Sequence, residues 1–212
     1  MILNKLSEYF NSVTLSEKFT NKLTKHKIGS NDYKVYDNFT NKKNAAILLD
    51  NINLNLLKLL KYLDDKYNIN NINYNYKSTK EDKVYILYAI LRLKKNYRPF
   101  NIQENLPSIF DKDTSYTINK GDIFALCLRF VNNTDEFHDF NTIMFVALHE
   151  FAHLFSKTYG HNKEFWTNFR FILKNAVEMG IYKSVNYKYN NKPYCGIQIT
   201  YSPLYDNKLR DY

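Results

Sequence analysis

The sequence predicts an α+β domain with a helical N-terminal half, a small β-sheet and two closely spaced helices that carry a histidine cluster. Three observations lead there. Apolar residues recur at helical spacing through 40–68 and 84–93. A run rich in β-branched and aromatic residues fills 114–131. "HEFAHLFSKTYGH", at 149–161, holds three of the five histidines.

The opening "MILNKLSEYFNSV" spaces Ile2, Leu3, Leu6, Tyr9, Phe10 and Val13 as an amphipathic helix would, without the continuous apolar run of a signal peptide. Ala45, Leu48, Leu49, Ile52, Leu56, Leu59, Leu60, Leu63 and Tyr67 then predict one long helix, or two joined near residues 53–55. The polar "NINNINYNYKSTKED" reads as a loop, with Ser78 or Thr79 capping a helix whose apolar stripe is Val84, Leu87, Tyr88, Leu91 and Leu93. Pro99 and Pro107 make "NYRPFNIQENLPSIF" extended and irregular. This divides the chain into a helical region, 1–75, packing on a main domain, 76–212.

"TSYTINKGDIFALCLRFVNN" predicts two short strands joined by a tight turn at Lys120, Gly121 and Asp122. The second strand is apolar on both sides, so it should be buried on both faces. Arg129 is its odd member, either an edge position with a snorkelling stem or a partner in an internal ion pair or cleft. The next helix starts near Asp139 or Asn141 and ends at Gly160 in the left-handed conformation. Asn162 caps another, with Phe165, Trp166, Phe169, Ile172, Leu173 and Val177 as its stripe and Gly180 as its stop. A last strand, 195–201, joins the small sheet.

Composition narrows the class. With 44% hydrophobic and 24% charged residues the chain is not wholesale disordered, and no apolar run is long enough to span a bilayer. A soluble, intracellular protein without a membrane partner is expected. The net charge of +9 would favour a polyanion such as DNA, but the lysines are spread along the chain and read first as solvated surface. Abundant Asn, Lys and Ile, with 19 Tyr against one Trp, also carry the signature of A/T-rich coding. Two cysteines, Cys127 and Cys195, are too few for a disulfide framework and read as buried packing in a reducing compartment.

On a helix, His149 and His153 project from one face a turn apart, close enough to share a cation, and the spacing suits zinc. Glu150 stands beside them as a carboxylate able to take a proton from water. A hydrolytic zinc site needs a third protein ligand and an open position. His161 is the candidate, because Gly160 lets the chain turn back toward the helix it has left. Without a cation, His, Glu and His in so apolar a helix would cost roughly several kcal/mol in polar burial. His26 and His138 read as surface positions, His138 with a capping role as the alternative. Tyr159, Tyr194 and Tyr201 are each conceivable as a donor to an oxyanion.

"SYTINKGDIFALCLRF" followed by "FVALHEFAHLFSKTYGHNKEFW" resembles the WLM and SprT-like group of zinc metallopeptidases, over roughly residues 114–176. More loosely, "NYRPFNIQENLP" and "PYCGIQITYSPL" are similar to stretches of WLM-like proteins of large DNA viruses and some protists. The resemblance implies a zincin-like domain with a buried His-Glu-x-x-His helix. It further implies zinc on His149, His153 and His161, Glu150 as the catalytic carboxylate, and a peptidase whose cellular relatives cleave proteins crosslinked to DNA or bound to ubiquitin-like modifiers. The spacing departs from the family's pattern, because His161 follows His153 by eight residues rather than the usual six, so the connecting turn is longer. A protein substrate, DNA-bound in one version, is therefore the expected partner. The rival reading is an inactive zinc fold serving as a binding or virion-structural protein. The Lys77–Asp82 loop and the C-terminal tail are candidates to cover the site.

Overall fold

The computed structural model describes residues 22–68, 79–106 and 114–212, so the N-terminal amphipathic stretch and most of the Asn-rich loop lie outside the described residues. The first described elements are strands β1 (Leu23–Ile28) and β2 (Asn31–Tyr36), a hairpin closed through Gly29 in the left-handed region, φ +59°. The N-terminal half is therefore not purely helical. "LTKHKI" and "NDYKVY" hold few apolar residues, and of these only Tyr33 and Val35 are fully buried, so the apolar signal is thin.

Helix α1 (Lys42–Lys66) runs unbroken through residues 53–55. Its midpoint asparagine explains why. Asn53 is buried, donates to the Tyr33 hydroxyl at 2.8 Å and accepts from the Tyr97 hydroxyl at 2.6 Å, so its amide is satisfied inside the core rather than breaking the helix. Helix α2 (Lys80–Asn96) begins with a reciprocal capping box between Thr79 and Asp82. It buries Ile86, Ala89, Ile90 and Leu93, whereas Val84, Tyr88 and Leu91 of the expected stripe face outward. The helix is apolar on two faces, and spacing alone cannot choose between them.

After a 3-10 turn at Pro99–Asn101, β3 (Ile102–Asn105) lies in the middle of the sheet, where an irregular segment was expected. Four residues are too few to show alternation against the proline signals around them. β4 (Tyr116–Ile118) and β5 (Ile123–Cys127) form the predicted hairpin, and Phe124 to Cys127 are all buried. The sheet order is β1-β2-β3-β5-β4, with β2, β3 and β5 parallel, β1 antiparallel to β2 and β4 antiparallel to β5. Strands on both sides of residue 75 thus share one sheet, and α1, α2, α3 (Phe140–Phe155) and α4 (Lys163–Glu178) contribute to one apolar core with it.

β7 (Ile197–Ile199) pairs with β6 (Lys192–Tyr194) in a separate two-stranded hairpin, and does not join the main sheet as expected. That hairpin is tied down by a disulfide between Cys127 and Cys195. Two cysteines rule out a framework but not one bridge, so the expectation of free buried thiols is overturned. The expectation of a reducing compartment loses its footing with them.

Arg129 takes the internal option. It is fully buried, its Nε donates to Glu104 Oε1 at 2.6 Å, and its Nη1 donates to the Thr134 carbonyl at 2.7 Å and to Asn41 Oδ1. The rings of Phe39 and Phe137 lie 4.1 and 4.8 Å from the guanidinium carbon. Glu104 also accepts the Tyr36 N–H at 2.9 Å, so one ion pair pins β2, β3 and the loops before α1 and α3 together. Among the described residues, no helix is long and apolar enough to cross a membrane.

Candidate metal centre

Helix α3 starts at Asp139, whose carboxylate accepts the Thr142 N–H at 3.0 Å and the Thr142 hydroxyl at 2.7 Å. It carries His149, Glu150 and His153, the first and last on one face as their spacing requires. The helix ends at Phe155 with Ser156 as C-cap, well before Gly160. Gly160 instead turns the chain into His161, at φ +76° and with open space where a Cβ would stand. Asn162 then caps α4 by accepting the Phe165 N–H at 3.0 Å, as the sequence predicts.

The three imidazoles converge. Nε2 of His153 lies 3.2 Å from that of His149 and 3.1 Å from that of His161, and the third side of the triangle is 2.9 Å. Phe165 backs all three rings, stacked on His153 at 4.2 Å and 4.8 Å from both His149 and His161. Burial pushes the three side chains toward the neutral form, His149 well below the usual histidine range and His153 to about 4, and repulsion from neighbouring cations adds to the effect at His149 and His153.

Three neutral ring nitrogens at mutual contact do not make a hydrogen-bonded set, because one N–H can serve two edges at most and leaves the third as lone pair against lone pair. A cation resolves that conflict. Tetrahedral zinc with Zn–N near 2.05 Å places its ligand atoms about 3.3 Å apart, close to the observed edges. The donor set is therefore chemically and metrically suited to zinc, with three protein ligands among the described residues rather than the four of a closed structural site.

The triangle opens into a cleft of about 540 Å³. It is lined by β4 with Lys120, by Phe145, Val146, Glu150, Trp166 and Phe169 from the helices, and by residues 197–201. Glu150, 4% exposed, is the carboxylate on the helix beside the triad.

The three candidate tyrosines all reach the cleft but differ in freedom. The Tyr194 hydroxyl is committed: it donates to the Cys127 carbonyl at 2.6 Å and lies 2.8 Å from Ser115 Oγ, and burial raises its pKa. Tyr201 donates to Asp206 at 2.8 Å, and Tyr159 stands 77% exposed at the rim.

His138 is not a surface or capping residue. It is buried 4.0 Å from the Phe130 ring, and its Nε2 accepts the Cys195 N–H at 3.2 Å, which helps seat the hairpin. His26, half-buried on β1, pairs with Thr24 and takes no part in the cluster. Nor does the C-terminal tail cover the cleft with its end: Tyr212 stacks on Tyr85 and packs against Phe171 behind α4. Residues 79–82 are occupied in capping α2. Local pattern marks Lys120 only as a turn residue and Trp166 only as a core residue; their place in the cleft depends on tertiary approach, which no local pattern encodes.

Comparison with known proteins agrees with this anatomy. The model of the WLM domain matches residues 115–200, which include β4 to β7 and both histidine-bearing segments. An uncharacterized protein of Acanthamoeba polyphaga mimivirus is 38% identical over 162 residues, 76% of this chain and 74% of that protein. The chain belongs to the WLM domain family. Two further relatives are uncharacterized proteins of Invertebrate iridescent virus 6, 39% identical over 69 residues, and of Invertebrate iridescent virus 3, 40% identical over 82 residues. The WLM chain covers 38% and 50% of their lengths, and 32% and 39% of its own length is matched. No solved structure gives a significant match.

Proposed function

We propose that this WLM chain is a zinc-dependent peptidase of zincin-like fold, with His149, His153 and His161 as the metal ligands and Glu150 as the catalytic carboxylate. The observation that carries the reading is the Nε2 triangle, 2.9 to 3.2 Å on each side, lying open to a cleft next to Glu150. Membership of a family associated with metallopeptidases supports it.

When bound, zinc supplies Lewis acidity, which polarises a carbonyl and makes water acidic near neutral pH. The remaining work falls to the chain. Glu150 orients the attacking water, accepts its proton and returns that proton to the leaving amine nitrogen. Phe165 holds the imidazole rings in fixed orientation, and the apolar side chains of α3 and α4 keep bulk water from their backs.

A polypeptide suits the cleft. β4 is the edge of the main sheet, pairs only with β5 among the described residues, and lines the cleft, so an extended segment can add to it through main-chain hydrogen bonds. Proteins bound or crosslinked to DNA are the substrate class that the sequence resemblance suggests, and the net charge of +9 suits a DNA-bound target.

The test is digestion of casein and of histone, with and without DNA, by wild type and by Glu150→Gln. Cleavage by the wild type alone, with zinc retained in both, is the expected result. A variant that cleaves at the wild-type rate removes Glu150 from its role. A wild type that binds zinc and cuts neither substrate points to a zinc fold kept for binding or virion structure.

A further inference from the structure

The segment 156–160 leaves the end of α3 and must bring His161 back to the face that the helix has just presented. Within "SKTYG" the Ser156 hydroxyl bonds to the Ala152 carbonyl at 2.8 Å and the Thr158 hydroxyl accepts from Asn162 at 2.7 Å, and Gly160 makes the turn. We infer that Lys120 is a positioning residue for His161: its ammonium, delivered by the β4–β5 turn, grips the returning segment from outside the segment's own sequence. The inference rests on the reading of His161 as a metal ligand.

Lys120 Nζ donates to three carbonyls, those of His153 at 2.9 Å, Ser156 at 2.7 Å and Thr158 at 3.0 Å. An ammonium has three N–H groups, and each has a partner. One of those carbonyls belongs to the second histidine of the triad, and the other two to the segment that leads to the third. The exposed Tyr159 ring lies 4.7 Å over the same ammonium.

Thr158 is held from the far side as well. Glu164, at the start of α4, accepts the N–H of Lys157 at 2.8 Å, the N–H of Thr158 at 3.1 Å and the Thr158 hydroxyl. Arg92 closes the last helical turn through the Phe155 carbonyl, at 3.1 and 3.0 Å. A cation and an anion thus clamp one residue by its carbonyl and its N–H, three positions before His161.

The turn that carries Lys120 is built for this aim. Asn119 and Lys120 both adopt the left-handed conformation, φ +47° and +55°, which non-glycine residues seldom take. Gly121, at φ +114°, sits so close to the end of α2 that a Cβ would meet the Asn96 carbonyl oxygen at 2.1 Å. The Asn101 side chain also holds the Gly121 carbonyl at 2.9 Å. The turn therefore has one seat, and from that seat the lysine reaches three carbonyls.

The experiment measures zinc affinity by competition with a chromophoric chelator, and the visible absorption of the cobalt-substituted protein, for wild type, Lys120→Met, His161→Ala and the double variant. Lys120→Met should weaken zinc binding about tenfold to hundredfold and reduce the tetrahedral cobalt absorption, while the metal-free protein melts close to wild type. The double variant should bind zinc no more weakly than His161→Ala alone, because Lys120 acts through that ligand. Wild-type affinity and spectrum in Lys120→Met, or a loss that multiplies with that of His161→Ala, overturns the inference. Wild-type affinity in His161→Ala overturns the ligand assignment itself. If Lys120→Met does not fold, Lys120→Gln, which keeps two N–H donors, is read in the same way: a partial loss of affinity supports the role and wild-type affinity refutes it.

Discussion

Replacing Arg129 by Met keeps an unbranched stem between Phe39 and Phe137 and removes the charge that Glu104 faces at 2.6 Å. Both partners have side chains at 0% exposure, so the carboxylate is left in the core with the Tyr36 N–H as a remaining partner. Breaking a buried pair from one side costs about 3–5 kcal/mol. For a chain of this size each kcal/mol lowers Tm by about 2–4 °C, so the expected drop is roughly 6–20 °C. The pH dependence has a definite sign. Burial holds the Glu104 carboxyl above its ordinary range even with Arg129 opposing it, and removing the arginine raises it further. A carboxyl raised in the folded state favours folding when protonated and loses that contribution as pH rises through the folded pKa. The deficit of Arg129→Met against wild type should therefore be largest near pH 8 and narrow toward pH 5. Adding Glu104→Met should recover most of the loss. Urea unfolding of the three proteins across that pH range decides it. A deficit below about 1 kcal/mol at pH 8, or one that is flat with pH, refutes the placement of an unpaired charge as the cause.

Two further predictions concern the frame of the cleft. The Cys127–Cys195 bond spans 68 residues, and on the chain-entropy model its loss costs about 4 kcal/mol, or about 8–16 °C in Tm; calorimetry with and without reductant checks this, and coincident melts would contradict it. Gly121→Ala combines an unfavourable φ of +114° with a clash against the Asn96 carbonyl, so a loss of about 3 kcal/mol or more is expected in denaturant unfolding, and a wild-type midpoint would mean that the turn can shift.

The parts legible in the sequence are those written in local spacing. The long α1, the β4–β5 hairpin, the caps at Thr79 and Asn162, and the histidine face of α3 follow from residues within a few positions of one another. What the sequence withheld depends on partners far along the chain. Arg129 and Glu104 are 25 residues apart, and neither announces the other. His138 looks exposed until the Cys195 turn arrives over it from 57 residues away. β3 is too short to alternate, and the two-faced apolarity of α2 offered one face as plausibly as the other.

The seating of the β6–β7 hairpin has a mechanical consequence. The wall formed by residues 197–201 hangs from Cys195 and Tyr194, and both are fastened to the same residue of β5, one by a covalent bond and the other through the Cys127 carbonyl. β5 in turn pairs with β4, which also lines the cleft. Two segments that line the cleft are thus anchored on one strand, so a displacement of β5 would carry both of them with it.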